Sequence, residues 1–209
     1  MLSFLAGIAL LELDRPGEAA AELARAVELD PEFADAWAGL SMILSWNAQT
    51  RTDVDLERAR AAIERAEAIA PGSAAVEMAR GYYAYYVDRR FDDALEHFRT
   101  ADLLRPSDAG VKAAIAYILR RQGNFQGAAE ELSRAIELDP RNAGLYIGQA
   151  EAFNAMRRWR AAEAVIERGL VIAPRNTRLI AYKIDAMIDR IERVDRTTPL
   201  VIQPVTPTG

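Results

Sequence analysis

The chain has 209 residues, 51% of them hydrophobic and 27% charged, with a net charge of −5. Its length suits one domain or two, and its lack of cysteine excludes disulfides and thiolate metal sites, in keeping with a reducing, cytoplasmic setting. Charge runs from −7 over residues 1–70 to +4 over residues 141–209, with no concentrated basic face, which speaks against general nucleic-acid binding.

In chain order, residues 1–11 are apolar but lack a basic leader and a small-residue cleavage motif. They run straight into Glu12 and Asp14, so a first helix is expected there rather than a signal peptide. No apolar stretch is long enough to span a bilayer, and no membrane insertion is expected. After Pro16 and Gly17 comes a phrase that is written five times, A-x3-[LIF]-x2-[AG]-x4-P. It reads Ala19, Leu23, Ala26, Pro31; Ala59, Ile63, Ala66, Pro71; Ala94, Phe98, Ala101, Pro106; Ala128, Leu132, Ala135, Pro140; and Ala162, Ile166, Gly169, Pro174. The prolines lie 40, 35, 34 and 34 residues apart, a period that marks stacked supersecondary units.

Within a phrase the small residues are seven apart and share one helical face with the large residue between them. A neighbouring helix can approach closely there, and proline, without an N–H, ends the segment. Before each phrase lies a second amphipathic segment, at about residues 2–13, 33–46, 73–87, 108–122 and 142–156. The short turns between the two segments force them antiparallel, so the unit is a helical hairpin. The second unit is six residues too long, with the surplus at residues 47–55, read as a surface insertion whose entropic cost grows only logarithmically. After Pro174 one more helix is expected at about residues 176–194, with the composition of a solvating cap. The uncharged stretch 197–209, with three prolines, is expected to be extended or disordered.

The pattern resembles the tetratricopeptide repeat family over about residues 1–174. Trp37 and Leu40 match that family's first-helix signature W-x2-L-G-x2-Y, with Ser41 and Leu44 in place of its glycine and tyrosine. Gly7, Gly81, Ala116 and Ala150 supply the small residue in the other units, and Phe91, Phe125 and Trp159 open second helices as the family's aromatics do. The resemblance implies an all-α, right-handed α-solenoid of antiparallel helix pairs over residues 1–196. Its units would fall at about 1–33, 34–73, 74–108, 109–142 and 143–176, with a capping helix at 176–194.

The resemblance also implies that the first helices line a concave, peptide-binding groove. Helical spacing puts Met42 and Trp46, then Met78, Tyr82, Tyr85 and Tyr86, then Tyr117, Arg120 and Arg121, then Glu151 and Asn154 on that stripe, while Tyr83 lies off it. Tyrosine and arginine are residues that carry binding energy at interfaces. The family's lysine–asparagine clamp for chaperone tails is absent, since Ile8, Met42, Tyr82 and Tyr117 stand where its asparagine is sought.

The expected function is therefore a non-catalytic scaffold for a protein or peptide partner, with no cofactor and no metal. His97, the one histidine, is expected at the solvated surface; Glu130 and Arg134 have the spacing of a surface ion pair. Two alternatives are kept. One is a regulatory or sensor arm of a larger bacterial signalling protein (cyclase, kinase or transcription regulator), motivated by the uncovered first helix. The other is self-association through the first helix, where Leu2, Phe4 and Leu5 have no preceding repeat to cover them, or through Leu200, Val201 and Ile202 of the tail.

Overall fold

The computed structural model describes residues 2–12, 15–46 and 52–197, and every regular element among them is helical. The elements are α1 (Leu2–Glu12), α2 (Pro16–Leu29), α3 (Ala34–Trp46), α4 (Asp53–Ile69) and α5 (Ala74–Tyr83), which runs into a π-helical turn, Ala84–Asp88. There follow α6 (Phe91–Leu104), α7 (Ala109–Arg121), α8 (Phe125–Leu138), α9 (Ala143–Ala155), α10 (Trp159–Ile172) and α11 (Thr177–Thr197). Successive helices pair, and the first helices of neighbouring units also touch, α3 with α5, α7 with α9 and α9 with α11. The core is accordingly a string of clusters, from Leu23 and Leu40 near the start to Leu132, Ile166 and Leu179 near the end. This is an α-solenoid in which each unit leans on its neighbours.

The repeated phrase does what its spacing implies. Its small residues are buried in all five second helices, and so are Leu23, Phe98, Leu132 and Ile166; Ile63 is half-buried. The residue before each proline donates the last helical bond back to the phrase's second small residue, as in Arg105 N–H to the Ala101 carbonyl and Asp139 N–H to Ala135, both 2.8 Å. Proline then stops the helix. Two residues further on, a side chain caps the next helix: Ser73 accepts from Val76 N–H, Asp108 from Gly110, Asn142 from Gly144 and Asn176 from Leu179. In the second unit Phe33 stands at this place and cannot cap. Its ring packs on Phe4 instead, centroids 4.8 Å apart, so Phe4 has a cover that the sequence does not disclose. Leu2 and Leu5 face solvent.

Two units depart from the regular length in different ways. In the second, the surplus is not all loop, because α4 has 17 residues where α2, α6, α8 and α10 have 14. The added turn is held by a capping box: Asp55 N–H donates to Thr52 Oγ1 (3.3 Å) and Thr52 N–H to the Asp55 carboxylate (2.9 Å). The backbone bond to Thr52 holds the Asp55 carboxyl below the ordinary carboxylate range. Residues 47–51 of the insertion, and residues 198–209 of the tail, lie outside the described residues.

In the third unit, the stretch from N-cap to left-handed turn residue (Ser73 to Arg89) is one residue longer than in the fourth (Asp108 to Gly123) and fifth (Asn142 to Arg157). The additional residue is absorbed as the π-helical turn at the end of α5, the usual form of a one-residue helical insertion.

At the other end, α11 buries Leu179 against α10. Ile180, Ile184, Met187 and Ile188 are all exposed on its outer side.

One contact fixes how closely a pair can pack. A Cβ added at Gly81 would fall 2.4–2.9 Å from three ring atoms of Phe98, the largest residue at the central place of any phrase. The fourth unit solves the same packing with Ala116 and Leu132. Gly81→Ala should therefore destabilise the chain by about 1–3 kcal/mol through overpacking. In a Phe98→Leu background the same change should be neutral or stabilising, since alanine favours a helix over glycine by about 1 kcal/mol. Urea denaturation of the four members of this cycle measures the coupling, and strictly additive effects would refute the contact as the cause.

Candidate functional site

The N-caps give each first helix a common register. Nine places after the cap stand Met42, Tyr82, Tyr117 and Glu151; twelve places after it stand Ser45, Arg120 and Asn154. In the third unit the π-helical turn delays the register by one, so that Tyr86, not Tyr85, takes the place of Arg120 and Asn154. These side chains form a ladder from unit to unit. The rings of Tyr82 and Tyr86 stack with centroids 6.1 Å apart and planes 5° from parallel. The Arg120 guanidinium lies 5.6 Å from the centre of the Tyr117 ring and pairs with the Glu151 carboxylate across α7 and α9. Asn154 Nδ2 donates to Tyr182 Oη on α11 (2.6 Å).

Burial drives the electrostatics of the aromatic end. The hydroxyls of Tyr82 and Tyr86 are pushed well above the ordinary tyrosine range, first by desolvation and then by neighbouring tyrosines. Desolvation raises Tyr117 as well, against the lowering field of Arg120. All three rings still present part of their surface, so the ladder is a half-buried aromatic strip that leads to a cation, a carboxylate and an amide. Beyond Asn154 it meets an open pocket of about 180 Å³ floored by Ala162 and Ile166 and flanked by Trp159, Tyr182 and Met187.

Several residues on the expected stripe are placed otherwise. Met78 is only 8% exposed and belongs to the core cluster of Phe98 and Ile118, because its place lies one turn earlier, where other units carry alanine or isoleucine. Tyr85 takes the place of Leu119 and Phe153 and turns toward Phe91, centroids 5.4 Å apart. Arg121 also lies over Phe91, at 5.4 Å, off the ladder. Met42 is half-buried against the core, and Trp46 is exposed at the end of α3. Tyr83 packs against the second unit, as its off-stripe position implies, and its hydroxyl accepts from Arg60 (3.3 Å).

His97 is only partly solvated: its ring is half-buried, with Nδ1 2.7 Å from the Glu77 carboxylate. Arg134 pairs with Glu131 (2.5 Å) rather than with Glu130, which accepts from Gln126. Among the described residues, no group of three or more His, Cys, Asp or Glu is placed to hold a metal ion. No helix among them is long and apolar enough to cross a membrane.

Tyr182 is the ladder residue that the stripe rule misses. Six places after the cap, the earlier first helices carry Gly39, Ala79, Ala114 and Gly148, and a tyrosine among these small residues is the signal.

The buried hydroxyls tie stability to pH. The folded chain holds them neutral, so the unfolded chain loses their protons first as pH rises past about 10. Their contribution is full below that pH and is lost above it. The urea midpoint should fall from about pH 10 upward, and Tyr82→Phe with Tyr117→Phe should flatten that fall; an unchanged slope would exclude these hydroxyls as its source.

Residues 4–44 and 119–182 match the tetratricopeptide repeat family. No curated protein matches the sequence. Among solved structures, the fold is similar to that of TTC0263, a thermophilic TPR protein of Thermus thermophilus, with a TM-score of 0.70 and 20% identity, covering 89% of this chain and 97% of that one. It is also similar to the first TPR of Spaghetti (RPAP3) bound to the HSP90 peptide SRMEEVD, with a TM-score of 0.51, 18% identity and coverage of 57% and 96%. A third similar structure is YrrB, described as a TPR protein with an unusual peptide-binding site, with a TM-score of 0.55, 16% identity and coverage of 87% and 90%. With matches near both ends of one continuous series of helix pairs, the chain belongs to the tetratricopeptide repeat family.

Proposed function

We propose that this chain is a non-catalytic interaction module that takes an extended peptide or protein segment along the face of its first helices, centred on Tyr82, Tyr86, Tyr117, Arg120, Glu151 and Asn154. The observation that carries the reading is the π-helical turn, which brings Tyr86 into stack with Tyr82 and into line with Arg120 and Asn154. Insertions of this kind are frequent at functional sites. Rigid aromatic rings next to an arginine offer contact area at small entropic cost together with polar anchors. The peptide-bound and peptide-binding relatives support the same class of ligand. The acidic character of SRMEEVD is not carried over, since the ninth places here hold Met42, Tyr82, Tyr117 and Glu151 and the ladder's own arginine is already paired with Glu151. The segment proposed is one with an aromatic or large aliphatic side chain for the tyrosine strip and main-chain polar groups for Arg120 and Asn154.

A phage-displayed random peptide library selected on the immobilised chain tests this reading. Selected peptides should lose affinity by about tenfold or more for the Tyr86→Ala, Arg120→Ala variant. Tyr86 is the better probe than Tyr82, whose ring packs edge-on against Phe98 at 5.1 Å and supports the core. The variant should keep its helical circular-dichroism signal and a cooperative urea transition, with the midpoint lowered by loss of the half-buried Tyr86 ring. A library that yields no binders, or binders indifferent to the double variant, sinks the proposal.

A further inference from the structure

The exposed apolar residues of α11 follow a regular spacing. Ile180, Ile184 and Met187 are spaced four and three residues apart, and the sequence continues the alternation at Ile191 and Val194. That is a heptad seam, with Ile180, Met187 and Val194 at d and Ile184 and Ile191 at a. The described part is open: Ile180 is 38% exposed, Met187 45% and Ile184 50%, and Ile188 at the flanking e place is 49% exposed. On the other side of the same helix, Leu179 is fully buried and Tyr182 holds Asn154, so α11 has one apolar face for its own array and another left over.

A further repeat hairpin is the wrong occupant for that second face. Eight places after the cap, where the second helix of the same unit approaches, the other units carry Ser41, Gly81, Ala116 and Ala150, while α11 carries Ile184. The steric limit at Gly81 shows how little room a second helix of the repeat type leaves there.

We infer that α11 is a dimerisation helix that pairs in parallel with α11 of a second copy. A heptad seam is self-complementary, since each copy offers the other the same row of a and d residues. In the sequence the same register puts Arg190 at g and Asp195 at the e place five residues on, opposite charges that meet twice between parallel copies. Antiparallel copies would instead set Lys183 at g near Arg190 at g, which repel. The helix has 21 residues, about three heptads, and its first part is held against the array through Leu179 and Tyr182, which lowers the cost of forming it on association. The inference does not rest on the peptide-binding reading: none of the six residues on which that reading centres lies on the seam, and only the pocket beyond Asn154 adjoins it, at Met187.

The chain has no cysteine, which makes a direct test available. Sedimentation equilibrium of the full chain should show a concentration-dependent dimer, and Ile184→Asp should weaken it by about tenfold or more without changing helicity. Under mild oxidation, Ile180→Cys alone should give a disulfide-linked dimer, because parallel copies set the same d residue face to face. Arg190→Glu should weaken the dimer, and Arg190→Glu with Asp195→Arg should restore it. A full chain that stays monomeric into the millimolar range overturns the inference, whether residues 198–209 or another partner covers the seam. Cross-linking only in a mixture of Ile180→Cys and Val194→Cys chains overturns the parallel arrangement.

Discussion

The close approach of paired helices rests on small residues facing large ones, and the remaining structure follows from that separation. Alanines seven apart on each second helix let the neighbouring helix come near, and Leu23, Phe98, Leu132 or Ile166 fills the groove between them. The place opposite is small as well, with Gly81 facing Phe98 and Gly7 facing Leu23. Pairs built this way stack unit on unit, and the stacking lines up the first helices so that residues at equal register form rows. The proline and the capping residue two places on set where each helix ends and the next begins, which keeps that register from drifting.

Function is read from deviations within that regularity. A single additional residue in the third unit changes which tyrosine faces outward, because a π-helical turn rotates everything after it back by one place. Tyr85 is sent to the core side, toward Phe91, and Tyr86 joins the row of Arg120 and Asn154. In α11 the deviations are of volume: Tyr182 stands where glycine or alanine stood, and Ile184 where a second helix would need space. Both keep the chain's last described helix from behaving as another copy of the repeat.

The scaffold was legible in the sequence because it is written five times. The second helices, their proline stops and the antiparallel pairing follow from the phrase alone. The site was legible only in part, for two reasons. A stripe drawn at ideal helical spacing does not know about a π-helical turn, so it groups Tyr85 with residues whose register Tyr85 does not share; it is also too broad, taking in Arg121, one place past the ladder row, and Met78, one turn before it. The tertiary partners were also out of reach. Nothing local pairs His97 with Glu77, Arg120 with Glu151 or Asn154 with Tyr182, since each contact joins two helices. The one-residue excess of the third period, 35 against 34, is in the sequence; its location inside the tyrosine helix is set by the caps and left-handed turns on either side of it.

The division of the core into a string of clusters bears on the mechanics of the chain. Cohesion passes only between adjacent units, so disturbance at one pair decays along the array instead of reaching every part at once. Such a body behaves as a short spring whose stiffness belongs to its joints. The ladder spans the joints between the third and fourth and the fourth and fifth units, with Arg120 and Glu151 already bridging the latter. A ligand laid along it would brace those joints, and its binding would be felt as a change in the curvature and compliance of the whole coil.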